Sequence, residues 1–146
     1  MNAKIAVVDL IARRQTATWK VPDAIGNFPM ALASAQSVLA TVFRSPPRLV
    51  LLDTKTGSVT GNLPACRDAD DVFFDVKRER IYVSCGAGEI AVFQRDGGTY
   101  RRLTSVATAR GAQTSLFVPE LDRLFVAARA GLLSSDASIQ VFRPMP

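Results

Sequence analysis

One segment of this chain recurs three times at a constant step of 43 residues, starting at Met30, Phe73 and Leu116. Met30–Ala40, Phe73–Val83 and Leu116–Val126 each read as a short apolar run, a polar turn and a second apolar run rich in β-branched or aromatic residues. That is the pattern of a β-hairpin, and none of the three sustains the 3.6-residue apolar period of a helix. Self-similarity at a fixed step constrains the fold more than any other feature, because each copy must adopt the same supersecondary unit.

A third apolar run belongs to every unit and occurs four times, at Ile5–Asp9, Leu49–Asp53, Ile90–Gln94 and Ile139–Arg143. Turns follow it at Thr54–Gly57 and Arg95–Gly98, with glycines that tight hairpins use for positive φ. A fourth run closes the unit at Ala17–Val21, Val59–Leu63 and Tyr100–Leu103. Four short strands in about 43 residues are the signature of a β-propeller blade, whose twisted sheet is covered on both faces by its neighbours. The expected fold is all-β, a partial propeller of about three and a half four-stranded antiparallel blades in one domain. Its limits are a partial blade over 1–28, complete blades over 29–71 and 72–114, and a partial blade over 115–146.

Three and a half blades cannot close on themselves, and an open array normally carries polar terminal faces. The first and last strands are instead as apolar as the inner ones, through Ile5, Val7 and Val8 and through Ile139, Val141 and Phe142. Self-association follows as the expectation, most simply a homodimer in which two halves complete one ring. Both ends supply a third-type strand, so a shared blade would hold one too many. Either one is displaced or the chain is part of a longer propeller.

The sequence contains no histidine, which removes the commonest general base, the commonest metal ligand and every Ser-His-Asp or Cys-His mechanism. A non-catalytic chain without cofactor or resident metal is expected. Eighteen Lys and Arg against thirteen Asp and Glu give a net charge of +5, which favours anionic partners. A cluster of Lys77, Arg78, Arg80, Arg101 and Arg102 with Tyr100 offers a weak case for single-stranded nucleic acid or another polyanion. No apolar run approaches the roughly 20 residues of a membrane-spanning helix, and no membrane partner is expected. Met1–Arg14 lacks the long apolar region and cleavage site of a signal peptide, leaving localisation open. Cys66 and Cys85 flank strands of one blade, and both a disulfide and a pair of partly buried thiols fit their placement.

In a propeller, the segment entering the first strand of each blade leads to the mouth of the central channel. The 43-residue step brings Asn27, Asp70 and Gln113 to equivalent places, then Phe28, Asp71 and Thr114, with Arg67 and Arg110 just before. Carboxylates, amides and guanidiniums converging there suit a small polar ligand. The same residues have a structural use, as Asp and Asn satisfy backbone amides at strand entrances and pair with arginine between blades. Asp68, Asp70 and Asp71 could supply oxygens to a cation, but lack the glycine and distal glutamate of a calcium loop.

The segment Asp68–Gly88 resembles the bacterial YVTN-repeat propellers, often called YncE-like, and the match continues through Gly111–Arg123 and Ile139–Pro144. The resemblance implies a family fold of about seven blades, of which this chain would be the C-terminal half, ending at a natural C-terminus. It further implies periplasmic or secreted full-length relatives acting as binding or scaffold modules, with single-stranded DNA binding suggested for one branch. The functional expectation is therefore a non-catalytic binding module for an unknown small ligand or protein. A polyanion binder and a metal-assisted lyase or lactonase are the alternatives.

Overall fold

In a computed structural model the chain is described over residues 3–131 and 136–146, with Asn27 and Phe28 in backbone only. Among the described residues all regular structure is β, apart from a 3-10 turn at Ser34–Gln36. The N-terminal hairpin pairs β1 (Ala3–Asp9) with β2 (Arg14–Val21). The first complete blade holds β3 (Ile25–Ala33), β4 (Val38–Ser45), β5 (Pro47–Asp53) and β6 (Val59–Pro64). The second holds β7 (Ala69–Asp75), β8 (Arg80–Cys85), β9 (Glu89–Asp96) and β10 (Thr99–Ala107). The C-terminal blade has three strands, β11 (Ser115–Val118), β12 (Arg123–Ala128) and β13 (Ser138–Phe142). Neighbouring strands are antiparallel and follow chain order. The innermost strands start at Ile25 and Ala69, slightly ahead of the hairpin-based limits at 29 and 72.

The middle strands explain the short, unbroken apolar runs. Leu49–Leu52 of β5 and Ile90–Phe93 of β9 are buried at every position, because a blade is covered on both faces. Side chains alternate, so Leu49 and Leu51 meet Ala91 and Phe93 between the complete blades, in one core with Cys66, Ile81 and Val83. Ile90 and Val92 point the other way, against Leu124 and Val126 of the C-terminal blade. Val50 and Leu52 join Phe43 against Ile5 and Val21 of the N-terminal hairpin. Each fully buried side chain of this size contributes about 1.5–3 kcal/mol of transfer free energy.

The turns repeat as well. The turn after each innermost strand ends in a left-handed residue, Ser37 (φ 55°), Glu79 (φ 53°) and Asp122 (φ 54°). The turn after the third strand is capped by an aspartate in two copies. Asp9 Oδ1 accepts from the amides of Ile11 and Ala12, and Asp53 Oδ1 from those of Lys55 and Thr56. Gly57 sits in the second of these turns at φ +74°, where an added Cβ would lie 2.2 Å from Trp19 Cδ1. Glycine there lets the indole of β2 lie across the first complete blade.

The two ends of the array differ, which corrects the expectation of matching apolar faces. Ile5 points inward and is buried, and the hairpin shows Lys4, Ala6, Thr18 and Lys20 to solvent with Val8. Apolar exposure on that side lies instead on β3, at Met30 and Leu32. At the other end Leu116, Ile139 and Val141 stand exposed on one side of the C-terminal blade. Alternation decides this: in β1 the larger residues fall on the covered face.

Candidate functional site

The connections entering the innermost strands share a motif finer than the 43-residue step. Pro22-Asp23-Ala24-Ile25, Arg67-Asp68-Ala69-Asp70 and Arg110-Gly111-Ala112-Gln113 each place a left-handed residue before an alanine. The alanines are sealed in the interior, and the left-handed residues have φ of 55°, 59° and 77°. A larger side chain has no room at the alanine, and the turn redirects the chain from the outer rim to the centre. This motif aligns Ile25, rather than Asn27, with Asp70 and Gln113. Ala24 precedes Met30 by six residues whereas Ala69 precedes Phe73 by four, so counting by 43 does not carry through the entry of the first copy, where the register of β3 shifts between Asn27 and Met30. Asn27 lies in β3, and its side chain and that of Phe28 fall outside the described residues.

Asp68, Asp70 and Asp71 are held by different partners. Arg44 Nη2 reaches Asp70 Oδ1 at 3.1 Å and Asp68 Oδ1 at 3.3 Å, and Arg44 Nε donates to the carbonyl of Ala69 at 3.2 Å. Asp71 Oδ2 accepts from the amide of Ser115 at 2.6 Å and from its hydroxyl at 3.3 Å, and that hydroxyl also bonds Ser84 Oγ at 2.7 Å. Burial pushes the Asp71 carboxyl above its ordinary range, against the two bonds from Ser115. The three carboxylates thus tie blades together: Arg44 joins the first complete blade to the second, and Asp71 joins the second to the C-terminal blade. Among the described residues no acidic cluster is arranged to hold a metal ion.

The entry turns that carry Arg67, Arg110 and Gln113 meet one loop through their backbones. The amide of Gly86 donates to the carbonyl of Asp68 at 2.8 Å, that of Ala87 to the carbonyl of Arg67 at 3.4 Å, and that of Gly111 to the carbonyl of Gly86 at 2.8 Å. Two successive entry turns are thereby pinned to the Gly86–Gly88 loop. A Cβ on Gly86 would fall 2.2 Å from Asp68 Oδ2 and 2.6 Å from Gln113 Oε1, so a larger residue there would push these two side-chain ends aside. Thr114 uses its carbonyl to accept from the amide of Ala127 at 2.9 Å. Arg129, which repeat counting did not single out, joins the group: a Cβ on Gly111 would lie 3.0 Å from its Nε. The 43-residue step pairs it with Gly86, which has no side chain, so periodicity carried no signal for it.

Cys66 and Cys85 are bonded, with Cα atoms 6.0 Å apart, and both are buried in the core between the complete blades. The bond ties the second entry turn to the end of β8. The opposite side of the molecule carries a polar network. Buried Asp75 accepts from Tyr82 Oη at 2.7 Å and Arg78 Nη1 at 3.0 Å, and Arg78 reaches on to both oxygens of Asp122 at 2.6 and 2.8 Å. These bonds raise the arginine further above its ordinary range and hold the Asp122 carboxyl below its own. Burial, with the Asp75 bond, raises the Tyr82 phenol. Of the other basic side chains considered for nucleic acid, Lys77 is exposed in the turn after β7 and three arginines are engaged. Arg101 pairs with Asp96, Arg102 with Glu89, and Arg80 bonds Gln94 and the carbonyl of Met145. Tyr100 packs on the core of the complete blades.

No family model matches the sequence, and no curated protein matches it. Solved structures do. Hydrazine synthase from Kuenenia stuttgartiensis superposes with a TM-score of 0.82 at 14% identity, over 96% of this chain and 40% of that one. A chain of the mitotic checkpoint complex gives 0.81 at 15% identity, over 98% and 43%. A chain of the nidogen/laminin complex gives 0.66 at 15% identity, over 97% and 55%. The likeness at this identity is one of fold, and the chain spans about half the length of these structures or less. They are propeller-type proteins, and together with the blade-by-blade topology they show that this chain is a partial β-propeller.

Proposed function

We propose that the chain is a non-catalytic binding and scaffold module in which a second copy completes the propeller. One observation carries this reading. Ile139 and Val141 are 61% and 54% exposed, whereas their repeat equivalents Ile90 and Val92 are 2% and 6% exposed beneath the next blade. An apolar blade face built for cover is thus presented at the edge of the array, and the half length relative to the matched structures leaves room for a second copy beside it. A homodimer would set this face against the N-terminal side of a second copy, where Met30, Leu32 and Val8 are exposed.

The strand order supports the same arrangement. Among the described residues β13 has a neighbour on one side only, and the apolar crevice beside it, about 350 Å³, is lined by Tyr82, Leu103, Val106, Phe142 and Met145. The complete blades carry a fourth strand at the corresponding place. The entry turns then form the mouth of the ring and offer arginines and an amide to a polar ligand. Support for a binding role over a catalytic one comes from the chain itself. It has no histidine, and the carboxylates of the mouth are engaged in holding blades together.

A covalent tandem tests the reading. Two copies joined head to tail by a flexible linker should give a compact monomer with a higher Tm than the single chain at equal concentration of chain. A tandem that melts at the single-chain temperature, with the scattering profile of two separate bodies, would contradict it.

A further inference from the structure

We infer that two copies join by strand exchange: β13 of one copy displaces β1 of the other and pairs with β2, which becomes the fourth strand of the C-terminal blade. The inference rests on ring completion by a second copy, and it adds which segment covers the open blade. Polarity decides against simple stacking. The N-terminal hairpin presents Lys4, Ala6, Thr18 and Lys20 outward, together with Val8. Stacked on that face, Ile139 and Val141 would meet two lysines, whose charged ends burial disfavours. Ile139 and Val141 are the first and third residues of their strand motif, and the matching residues of β1 are again isoleucine and valine, Ile5 and Val7. Ile5 is buried in one core with Phe43, Val50 and Leu52, and Val7 lies on the same face by alternation. Exchanging an equivalent element between copies reuses a surface that is already built.

The fourth strands carry the register that this pairing needs. Opposite the first residue of the third-strand motif stands an apolar residue in each sheet that has both strands: Trp19 faces Ile5, Leu63 faces Leu49 and Val106 faces Ile90. Opposite the second residue stands a polar one, Thr18 at Ala6, Asn62 at Val50 and Ser105 at Ala91. In the same register β2 sets Trp19 opposite Ile139 and Thr18 opposite Gln140. The supply of strands agrees. β6 and β10 belong to complete blades and β2 is paired with β1 alone, whereas among the described residues the C-terminal blade has no fourth strand. β1 is the weaker competitor for β2. Its register with β2 breaks between Val7 and Val8, and its other edge carries no strand among the described residues, whereas β13 brings β12 on its other edge. Exchange turns a two-stranded sheet into a four-stranded blade.

Cysteine pairs placed in the full chain test this by native mass spectrometry and non-reducing gels. Ala6→Cys/Thr18→Cys joins two exposed cross-strand partners of one hairpin and locks β1 onto β2. The oxidised variant should remain a single chain where the parent is a dimer, with association weakened at least about 10-fold. Reducing the new bond should restore the dimer, with the parent in the same reductant as control. Thr18→Cys/Gln140→Cys should instead oxidise to a covalent dimer. A locked variant that associates as tightly as the parent, or a dimeric Thr18→Cys/Gln140→Cys that forms no covalent link, would overturn strand exchange and leave ring completion standing. A parent chain that is monomeric throughout would overturn both.

Discussion

The same strand motif meets two fates in this molecule. In the second complete blade, Ile90 and Val92 are sealed under the C-terminal blade. In the C-terminal blade, Ile139 and Val141 hold equivalent places and face solvent. Nothing in their own residue types differs, since both pairs are isoleucine and valine two apart on a third strand. A blade sequence is thus written for cover on both faces, and whether cover arrives depends on what lies beyond it in space. The N-terminal side behaves differently, because its hairpin turns Ile5 inward and offers Lys4 and Lys20 outward. At that end the apolar exposure falls on β3 and Val8, whereas at the other it falls on the third strand itself.

Substitution by aspartate at the two places should separate them most strongly. Ile90→Asp buries an unpaired carboxylate between blades and should cost more than about 4 kcal/mol, leaving little folded protein. Val141→Asp, on the open face, should change single-chain stability by less than about 1 kcal/mol while shifting the population to monomer. Chemical denaturation and sedimentation on both variants check this, and equal effects of the two would erase the distinction.

The seams inside the array can be broken separately. The seam between the second complete blade and the C-terminal blade depends on Arg78, which spans Asp75 and Asp122. Arg78→Met leaves buried Asp75 with Tyr82 as its remaining side-chain donor and should cost about 3 kcal/mol in urea titrations. The seam between the complete blades is mainly apolar, and the Cys66–Cys85 bond, which spans 19 residues, lies in that core and ties the second entry turn to β8. Cys66→Ala/Cys85→Ala should lose roughly 2–3 kcal/mol, by releasing chain entropy in the unfolded state. The core around Ile81, Val83 and Phe93 should hold that seam together without the bond.

Acid should sharpen the contrast least. Hydrogen bonding from Arg78 holds the Asp122 carboxyl below its ordinary 3.8, so its contribution is complete above that value and fades as pH falls through the lower, folded one. Asp71 has the opposite sign, since burial raises it and its charged form opposes folding near neutrality. Denaturation midpoints followed below about pH 4 should fall less for Asp122→Asn than for the parent chain. An unchanged acid limb would remove Asp122 from the seam.

Blade architecture was legible because periodicity is a long-range average. Three hairpins at one step and four Ile/Leu-led third strands survive small local errors. The entry turns were not, because a two-residue excess in β3 shifts Asn27 off the place that counting assigns it. The buried Ala24, Ala69 and Ala112 would have anchored the alignment, but alanine is common and its signal lies in being sealed. Asp70 and Gln113 were legible as polar positions, but their partners were not. Arg44, on the neighbouring blade, pairs with Asp68 and Asp70, and no spacing rule reports a partner on another sheet. The outward polarity of β1 was missed because composition was read without assigning each residue to a face.

Native mass spectrometry over a range of concentrations tests ring completion most directly. The account predicts a predominant species of twice the 15.8 kDa chain mass, reduced to single chains by Val141→Asp. A single chain that stays monomeric, well folded and soluble at every concentration would contradict it.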